Sequence, residues 1–312
     1  MTHSILTTSD EGSFEMLNGI LLLNKPPLLT SQQVVSQVKR LFKVKKAGHT
    51  GSLDPIATGL LPICLGEATK FSQFLLATDK HYRVEAQLGL CTDTGDCQGQ
   101  PLTQRPIPSL ERADILPILQ QFTGTLFQLP PMYSAIKHQG KPLYHWARRG
   151  ITLERKPRQI TIHHLELLDY QSDKLILEVK CSKGTYIRSL VEDIGEALNC
   201  GAHVTALHRL SVGPYQVTQS VDLNTLESIH TLAERAHHLL PLEAALPQWP
   251  IVKVSEAAAF YFRRGQALAL PKTPDTGWVR LVLKPSGPLL GIGQMLKDGR
   301  IAPYRLVNFE IS

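Results

Sequence analysis

Residues 82–90 read YRVEAQLGL, so Tyr82, Val84, Ala86, Leu88 and Leu90 fall on one face of an extended chain. Arg83, Glu85 and Gln87 fall on the other. A period of two with one polar face predicts a half-buried strand. Working outward, residues 160–168 and 174–181 predict a strand pair, with Leu175, Leu177, Val179 and Cys181 on one face of the second. Residues 203–212 read as another strand, and GILLLN at 19–24 as a buried strand that stops at Lys25-Pro26-Pro27. Helical spacing appears at 31–43 (Val34, Val35, Val38, Leu41, Phe42) and at 186–198 (Ile187, Leu190, Val191, Ile194, Leu198). Thr30 and Gln33 have capping-box spacing before the first of these. A shorter helix is expected at 67–76, with Phe71, Phe74 and Leu75 inward. Strands and helices mix without βαβ alternation, which predicts an α+β fold whose sheet is mixed and mainly antiparallel, flanked by helices.

The chain has 312 residues, enough for about two domains. Hydrophobic residues make up 43% and charged residues 19%, which excludes a mainly disordered or collagen-like chain. Pro241, Pro247 and Pro250 mark a linker at 241–250. Beyond it, 251–312 reads as a small β-rich unit, with strand-like WVRLVL and YRLVNF and a turn at Lys297-Asp298-Gly299-Arg300. A unit this small is marginal alone and is expected to pack on the main domain. Residues 1–16 read as a flexible N-terminus without the basic and apolar regions of a secretory signal. No apolar stretch approaches the ~20 residues of a membrane span. Five cysteines, none in C-x-x-C spacing, argue against a disulfide framework and a zinc site, so no metal and a reducing cytoplasm are expected.

The net charge is +6, and one segment accounts for it. Residues 133–158, YSAIKHQGKPLYHWARRGITLERKPR, hold seven Lys/Arg against the single acid Glu154, with Tyr133, Tyr144 and Trp146 interleaved. Cations release counterions from phosphates and aromatics stack on bases, so the segment suits RNA. It equally suits a solvated face. No apolar stripe accompanies it, which argues against a membrane surface. A second acid-free cluster, Lys39, Arg40, Lys43, Lys45 and Lys46, also suits the dipole at a helix C-terminus.

Residues 47–66, AGHTGSLDPIATGLLPICLG, contain four glycines and two prolines and predict a shaped loop rather than a regular element. No P-loop, G-x-S-x-G or H-E-x-x-H string occurs, and Gly291-Ile292-Gly293 is too short for a dinucleotide fingerprint. The loop holds one carboxylate, Asp54, near His49, Thr50 and Ser52. Asp-Pro also starts turns. A fixed carboxylate acts as nucleophile or base when a cation holds it ionised, and Arg188 in CSKGTYIRS is the candidate cation.

GILLLNKP, AGHTGSLDPIATGLLPICLGEATKF, YRVEAQLG, TDTGD, PPMYSAIKHQGKPLYHWARRG, CSKGTYIRSL and GAHVTALHRL stand in order from about 17 to 215. Together they closely resemble the bacterial tRNA pseudouridine synthases of the TruB type. The resemblance implies a catalytic domain at 17–240, an RNA-binding insertion at about 126–158 and a PUA-like domain at 251–312. It implies isomerisation of uridine 55 in the tRNA T loop to pseudouridine, without cofactor or metal. The enzyme would act as a monomer on the T stem-loop, with no obligatory protein partner and no membrane. Asp54 matches the catalytic aspartate, Arg188 its arginine partner and Tyr82 the tyrosine that stacks on the base. His49 matches a histidine that rearranges the T loop, and Leu207 a hydrophobic residue lining the pocket. Lys25, Lys70 and Tyr186, with Lys137, Lys141, Arg148 and Arg149, are the further implied RNA contacts. Two departures stand out: Leu28 replaces a glycine after Lys-Pro-x, and His208 replaces a frequent arginine. Other readings are an RNA-folding helper without chemistry and an RNA-guided subunit. The lack of long basic tails and the presence of the insertion argue against the latter.

Replacing Lys137, Lys141, Arg148 and Arg149 together by Gln should weaken RNA binding and make its log–log salt dependence shallower by about 3, since each phosphate contact contributes ~0.7–0.9. Filter binding across a salt series checks this; an unchanged slope returns the segment to a solvated face.

Overall fold

In a computed structural model describing residues 17–271, 274 and 277–308, the first apolar run becomes β1 (Gly19–Lys25). Leu21 and Leu23 enter one hydrophobic cluster, Ile20 and Leu22 a second on the opposite face. Burial on both faces is why the run is continuous rather than alternating. The proposed flexible segment 1–16 lies outside the described residues. α1 (Ser31–Leu41) opens on the expected capping box: the Gln33 N–H donates to Thr30 Oγ1 at 3.2 Å and the Thr30 N–H to Gln33 Oε1 at 2.8 Å. It ends before Phe42, which is buried at the C-cap.

Residues 47–66 depart from the expected loop. They form β2 (Ala47–His49) and β3 (Thr58–Leu65), and only 50–57 remain irregular. The glycines and prolines masked a strand buried on both faces: Leu61, Ile63 and Leu65 join the first cluster, Leu60 and Cys64 the second. Pro62 is tolerated because it falls between two partners on one side of β3. Residues 58–59 pair with a later strand and 63–65 with β2.

A 3-10 turn (Gly66–Phe71) and α2 (Ser72–Leu76) realise the expected helical stretch. β4 (Lys80–Leu88) is the half-buried strand, with Tyr82, Val84, Ala86 and Leu88 in the first cluster. Gly89, at φ +87°, turns the chain, so Leu90 starts a separate hairpin of β5 (Leu90–Thr92) and β6 (Pro101–Gln104). α3 (Arg112–Gln121) and β7 (Gly124–Gln128) follow. The basic segment folds as β8 (Lys137–His138), β9 (Lys141–Pro142) and the short α4 (Leu143–Ala147). β10 (Arg158–Gln171) and β11 (Lys174–Cys181) form the expected pair, followed by α5 (Ile187–Ala197) and β12 (Ala202–Val212). β13 (Tyr215–Gln216), β14 (Val221–Asp222), α6 (Leu223–Ser228), α7 (Leu232–Ala236) and β15 (Leu239–Leu240) complete this part.

Among the described residues these strands build one 11-stranded sheet, ordered β14-β1-β3-β12-β4-β11-β10-β7 with β2, β13 and β15 attached. Most neighbours are antiparallel; β1–β14 and β3–β12 are parallel, so the fold is α+β as expected. α1, α3 and α5 contribute Val34, Val38, Ile115, Leu119, Leu190 and Ile194 to the cluster on one face.

The other face of β1 and β3 is covered by the C-terminal unit of β16 (Ile251–Val254), α8 (Glu256–Arg263), β17 (Trp278–Leu283), β18 (Leu289–Met295) and β19 (Ile301–Leu306). Its strands form a sheet in that order, and the turn at 297–300 joins the last two as expected. Phe309, the last residue of the strand-like YRLVNF, lies outside the described residues. Val282, Leu289, Ile292 and Val307 share the second cluster with Ile20, Leu22 and Phe71. The proline-marked stretch 241–250 is packed between the two units rather than hanging free. Ala245 and Leu246 are fully buried, and Trp249 stacks on Trp278 with centroids 5.7 Å apart. No described helix is long and apolar enough to cross a membrane.

Leu246→Ala should destabilise the chain by about 2–5 kcal/mol, the range for emptying a buried leucine site. Urea unfolding measures the loss, and limited proteolysis should then cut between the two units; unaltered stability would mean that this stretch is only a tether.

Candidate active site

Loop 50–57 is held from two sides. Ser31, at the start of α1, accepts from the Leu53 N–H at 2.8 Å and donates to the Leu53 carbonyl at 3.0 Å. The Leu28 N–H donates to the Pro55 carbonyl at 2.8 Å. Leu28 lies at φ +68°, a conformation glycine adopts freely, so the turn keeps a glycine-like shape and its side chain goes to solvent. From the sheet, buried Arg209 of β12 donates Nε to Leu60 O at 2.7 Å and a terminal nitrogen to Gly51 O at 3.1 Å. Gly59 permits this approach: at φ +98°, any Cβ there would stand 2.3 Å from the Arg209 carbonyl oxygen.

From this frame Asp54 meets Arg188 at two points, Nε to Oδ2 at 2.9 Å and NH2 to Oδ1 at 3.2 Å. Two of the three remaining N–H groups are also engaged, by Thr94 O at 2.6 Å and Tyr133 O at 2.8 Å. Asp96 Oδ2 lies 3.9 Å away on the far side. Only arginine's planar fork spans such a set. Arg188 itself is placed by Gln128, whose buried amide donates to Tyr186 O at 3.0 Å and accepts from Tyr186 N–H at 2.8 Å, just before α5 begins.

The pair has a closed and an open side: the Arg188 side chain is 5% exposed and that of Asp54 37%. Asp54 is thus reachable from solvent while its cationic partner is enclosed by protein. Desolvation there raises its pKa above the usual carboxylate value, Asp96 adds to the rise, and Arg188 and Lys25 oppose it. Lys25 is buried, with Nζ donating to Pro26 O at 2.7 Å and Pro55 O at 3.3 Å. Burial lowers its pKa to about 8, against the pull of Asp54.

Tyr82 lies on β4 opposite Arg209, and burial raises its pKa, so it is a neutral phenol at pH 7. Buried Leu207 belongs to the same cluster as Tyr82. Tyr186 is half-buried at the N-cap of α5, and burial raises its phenol pKa too. On β2, His49 accepts from the Gly51 N–H at Nδ1 (3.3 Å), which leaves the proton on Nε2. Burial, with Arg209 nearby, lowers its pKa and keeps it neutral.

The structure therefore joins Asp54, Arg188 and Lys25, with Tyr82 and Tyr186 near enough to feel the Asp54 charge. Lys137, Lys141, Arg148 and Arg149 are exposed on the hairpin and beyond α4. Some of the segment's aromatic surface is already covered by its own cations: Lys141 and Arg149 lie 5.9 Å from the Trp146 ring, and Arg148 5.4 Å from that of Tyr144. Lys70 stands apart, bound to Glu67 at 2.6 Å and to Leu306 O at 3.0 Å where the C-terminal unit docks. His208 is engaged by Thr58 Oγ1 at 2.8 Å.

Sequence reasoning missed Arg209, Asp96 and Gln128. For Arg209 a signal exists: it shares the inward face of β12 with Leu207 and Ser211, where an unpaired charge is costly. Asp96 and Gln128 carry no such signal, because their partners come from distant elements. Among the described residues no cluster of His, Cys, Asp and Glu is placed to hold a metal. What the site offers is an oriented carboxylate open to a cleft, fit to act as nucleophile or base.

Residues 39–187 match the family described as TruB family pseudouridylate synthase (N terminal domain). Residues 188–247 match the tRNA pseudouridylate synthase B C-terminal domain, and 250–307 match Pseudouridine synthase II TruB, C-terminal. The chain is 52% identical to tRNA pseudouridine synthase B of Coxiella burnetii (strain Dugway 5J108-111), covering 94% of this chain and 95% of that protein. It is 50% identical to the protein of the same name from Pseudomonas fluorescens (strain Pf0-1), covering 94% and 97%. Among solved structures, its fold resembles a chain in an H/ACA RNP bound to a substrate RNA containing 2′-deoxyuridine, with a TM-score of 0.69 at 23% identity over 94% of this chain and 86% of that one.

Arg188→Gln removes the cation that opposes desolvation, so the Asp54 carboxyl should titrate at a higher pH than in the wild type. Carboxyl-detected NMR titration checks it; an unmoved midpoint would mean the guanidinium does not set the charge state of Asp54.

Proposed function

Because the chain belongs to the TruB family of pseudouridylate synthases and is an isomerase of uridine in tRNA, we propose that its target is uridine 55 of the T loop and that Asp54 is the catalytic carboxylate. The observation that carries this reading is the two-point contact between the partly exposed Asp54 carboxylate and the buried Arg188 guanidinium.

Uridine becomes pseudouridine when its N1–C1′ bond breaks and a C5–C1′ bond forms; C5 loses a proton and N1 gains one. No electrons enter or leave. The need is for a group that stabilises the sugar or the ring while the base turns. An ionised carboxylate does this, by attack or by charge. The nucleotide must first leave its stack, which costs a few kcal/mol and less in a loop than in a duplex. Tyr82 offers a ring on which the extruded base stacks, with Leu207 as apolar wall. Arg188 and Lys25 hold Asp54 charged and aimed. His49, neutral with its proton on Nε2, donates to the rearranged T loop. Tyr186 and the cations Lys137, Lys141, Arg148 and Arg149 grip the RNA. Residues 251–312 act as a PUA-like auxiliary contact, and the enzyme works as a monomer without a guide RNA.

A second activity fits the same surface. The exposed cations of 133–158 stand outside the cleft, so RNA can be opened and released without chemistry, as a folding helper would require.

Asp54→Asn should lower pseudouridine formation in a T-arm transcript on the order of 10³-fold or more, while RNA affinity stays within a few-fold. Full turnover by this variant removes Asp54 from the mechanism. Should it still rescue tRNA folding, the helper activity stands apart from catalysis. The wild-type rate should fall on the acid side as Asp54 takes up its proton. Because desolvation raises that pKa, the midpoint lies above the ordinary carboxylate value of 3.8.

A further inference from the structure

The cluster Lys39, Arg40, Lys43, Lys45 and Lys46 has no part in the cleft described above. All five side chains are exposed, and among the described residues none makes an ion pair or side-chain hydrogen bond. No Asp or Glu occurs between Glu15 and Asp54, so nothing local neutralises them. The helix dipole accounts for only part of the cluster. Lys39 and Arg40 occupy the last turn of α1, but Lys43, Lys45 and Lys46 lie past its end, where the dipole effect has faded.

Lys39, Arg40 and Lys43 border a groove along the outer face of α1, lined also by Thr30, Gln33, Ser36 and Gln37. The apolar face of α1 is spent on the core, and the partly buried Leu29 and Val44 line the groove beside its polar side chains and cations.

Position decides what binds there. α1 follows β1, whereas the basic insertion follows β7, and these strands stand six places apart in the sheet. At about 4.8 Å per strand that is roughly 29 Å, with the Asp54 loop between them. RNA gripped by the insertion and delivering a nucleotide to Asp54 must continue past the loop to reach α1. The N-terminus of α1 abuts that loop through Ser31, and Lys39 lies about 12 Å farther along the helix at 1.5 Å per residue.

We propose that the outer face of α1 is a second phosphodiester-binding track that engages tRNA outside the T-arm hairpin entering the cleft. This deepens, and rests on, the reading of the cleft as the isomerisation site.

The test replaces Lys39, Arg40 and Lys43 by Gln; all three are exposed, and circular dichroism confirms the fold. Filter binding over a salt series compares full-length tRNA with an isolated T-arm hairpin. The triple variant should bind full-length tRNA about tenfold more weakly near 0.1 M salt, with a log–log slope shallower by about 2. Hairpin affinity and the rate on saturating hairpin should match wild type. An unchanged slope with full-length tRNA overturns the track. An equal loss with the hairpin overturns its placement outside the T arm. Because affinity is read without turnover, both results hold whether or not uridine 55 is the target; a wild-type protein inactive on both RNAs would overturn only that reading.

Discussion

A carboxylate in a protein cleft tends to lose its charge, and Asp54 can use its charge only because a guanidinium meets it at two points. The partners lie 134 residues apart in the chain. Such a pair is poor value for stability, since removing charge from water offsets most of the attraction. It is retained at the floor of an open cleft, where an oriented anion has chemical use. Arg188 is in turn fixed by two backbone carbonyls, so its orientation does not depend on Asp54 alone.

Much of the architecture follows from placing these two groups. The sheet brings β3 and β12 side by side, and Arg209 stitches the loop before β3 to the strand beside it. Lys25 closes the same loop from β1. Gln128 sets the start of α5 from the opposite edge strand. One of the carbonyls holding Arg188 belongs to Tyr133, at the root of the basic insertion. The basic segment and the arginine that orients the carboxylate therefore share a hydrogen bond.

The periodic elements were legible from residues alone. α1, β4, β10, β11, α5 and β12 appear within a few residues of their expected positions, because each is amphipathic with one buried face. The elements that were misread lack that asymmetry. β3 is buried on both sides and punctuated by glycine and proline, so neither period showed. The stretch 241–250 carries prolines that look like a tether, yet its apolar residues fill the junction between the two sheets. Asp54 and Arg188 were recognisable as candidates, as was the basic insertion from its charge. Lys70 illustrates the reverse case: a lysine in a matching string whose ammonium is taken by Glu67 and a backbone carbonyl.

The sequence by itself determined the fold class, the family and where positive charge concentrates, and it singled out one candidate carboxylate, since these are properties of composition, period and local strings. The tertiary structure decided which cation reaches which anion and that Arg209, Asp96 and Gln128 support the site. Those facts depend on contacts between segments far apart in the chain. Their geometry is set by strand order and register, which no local pattern encodes.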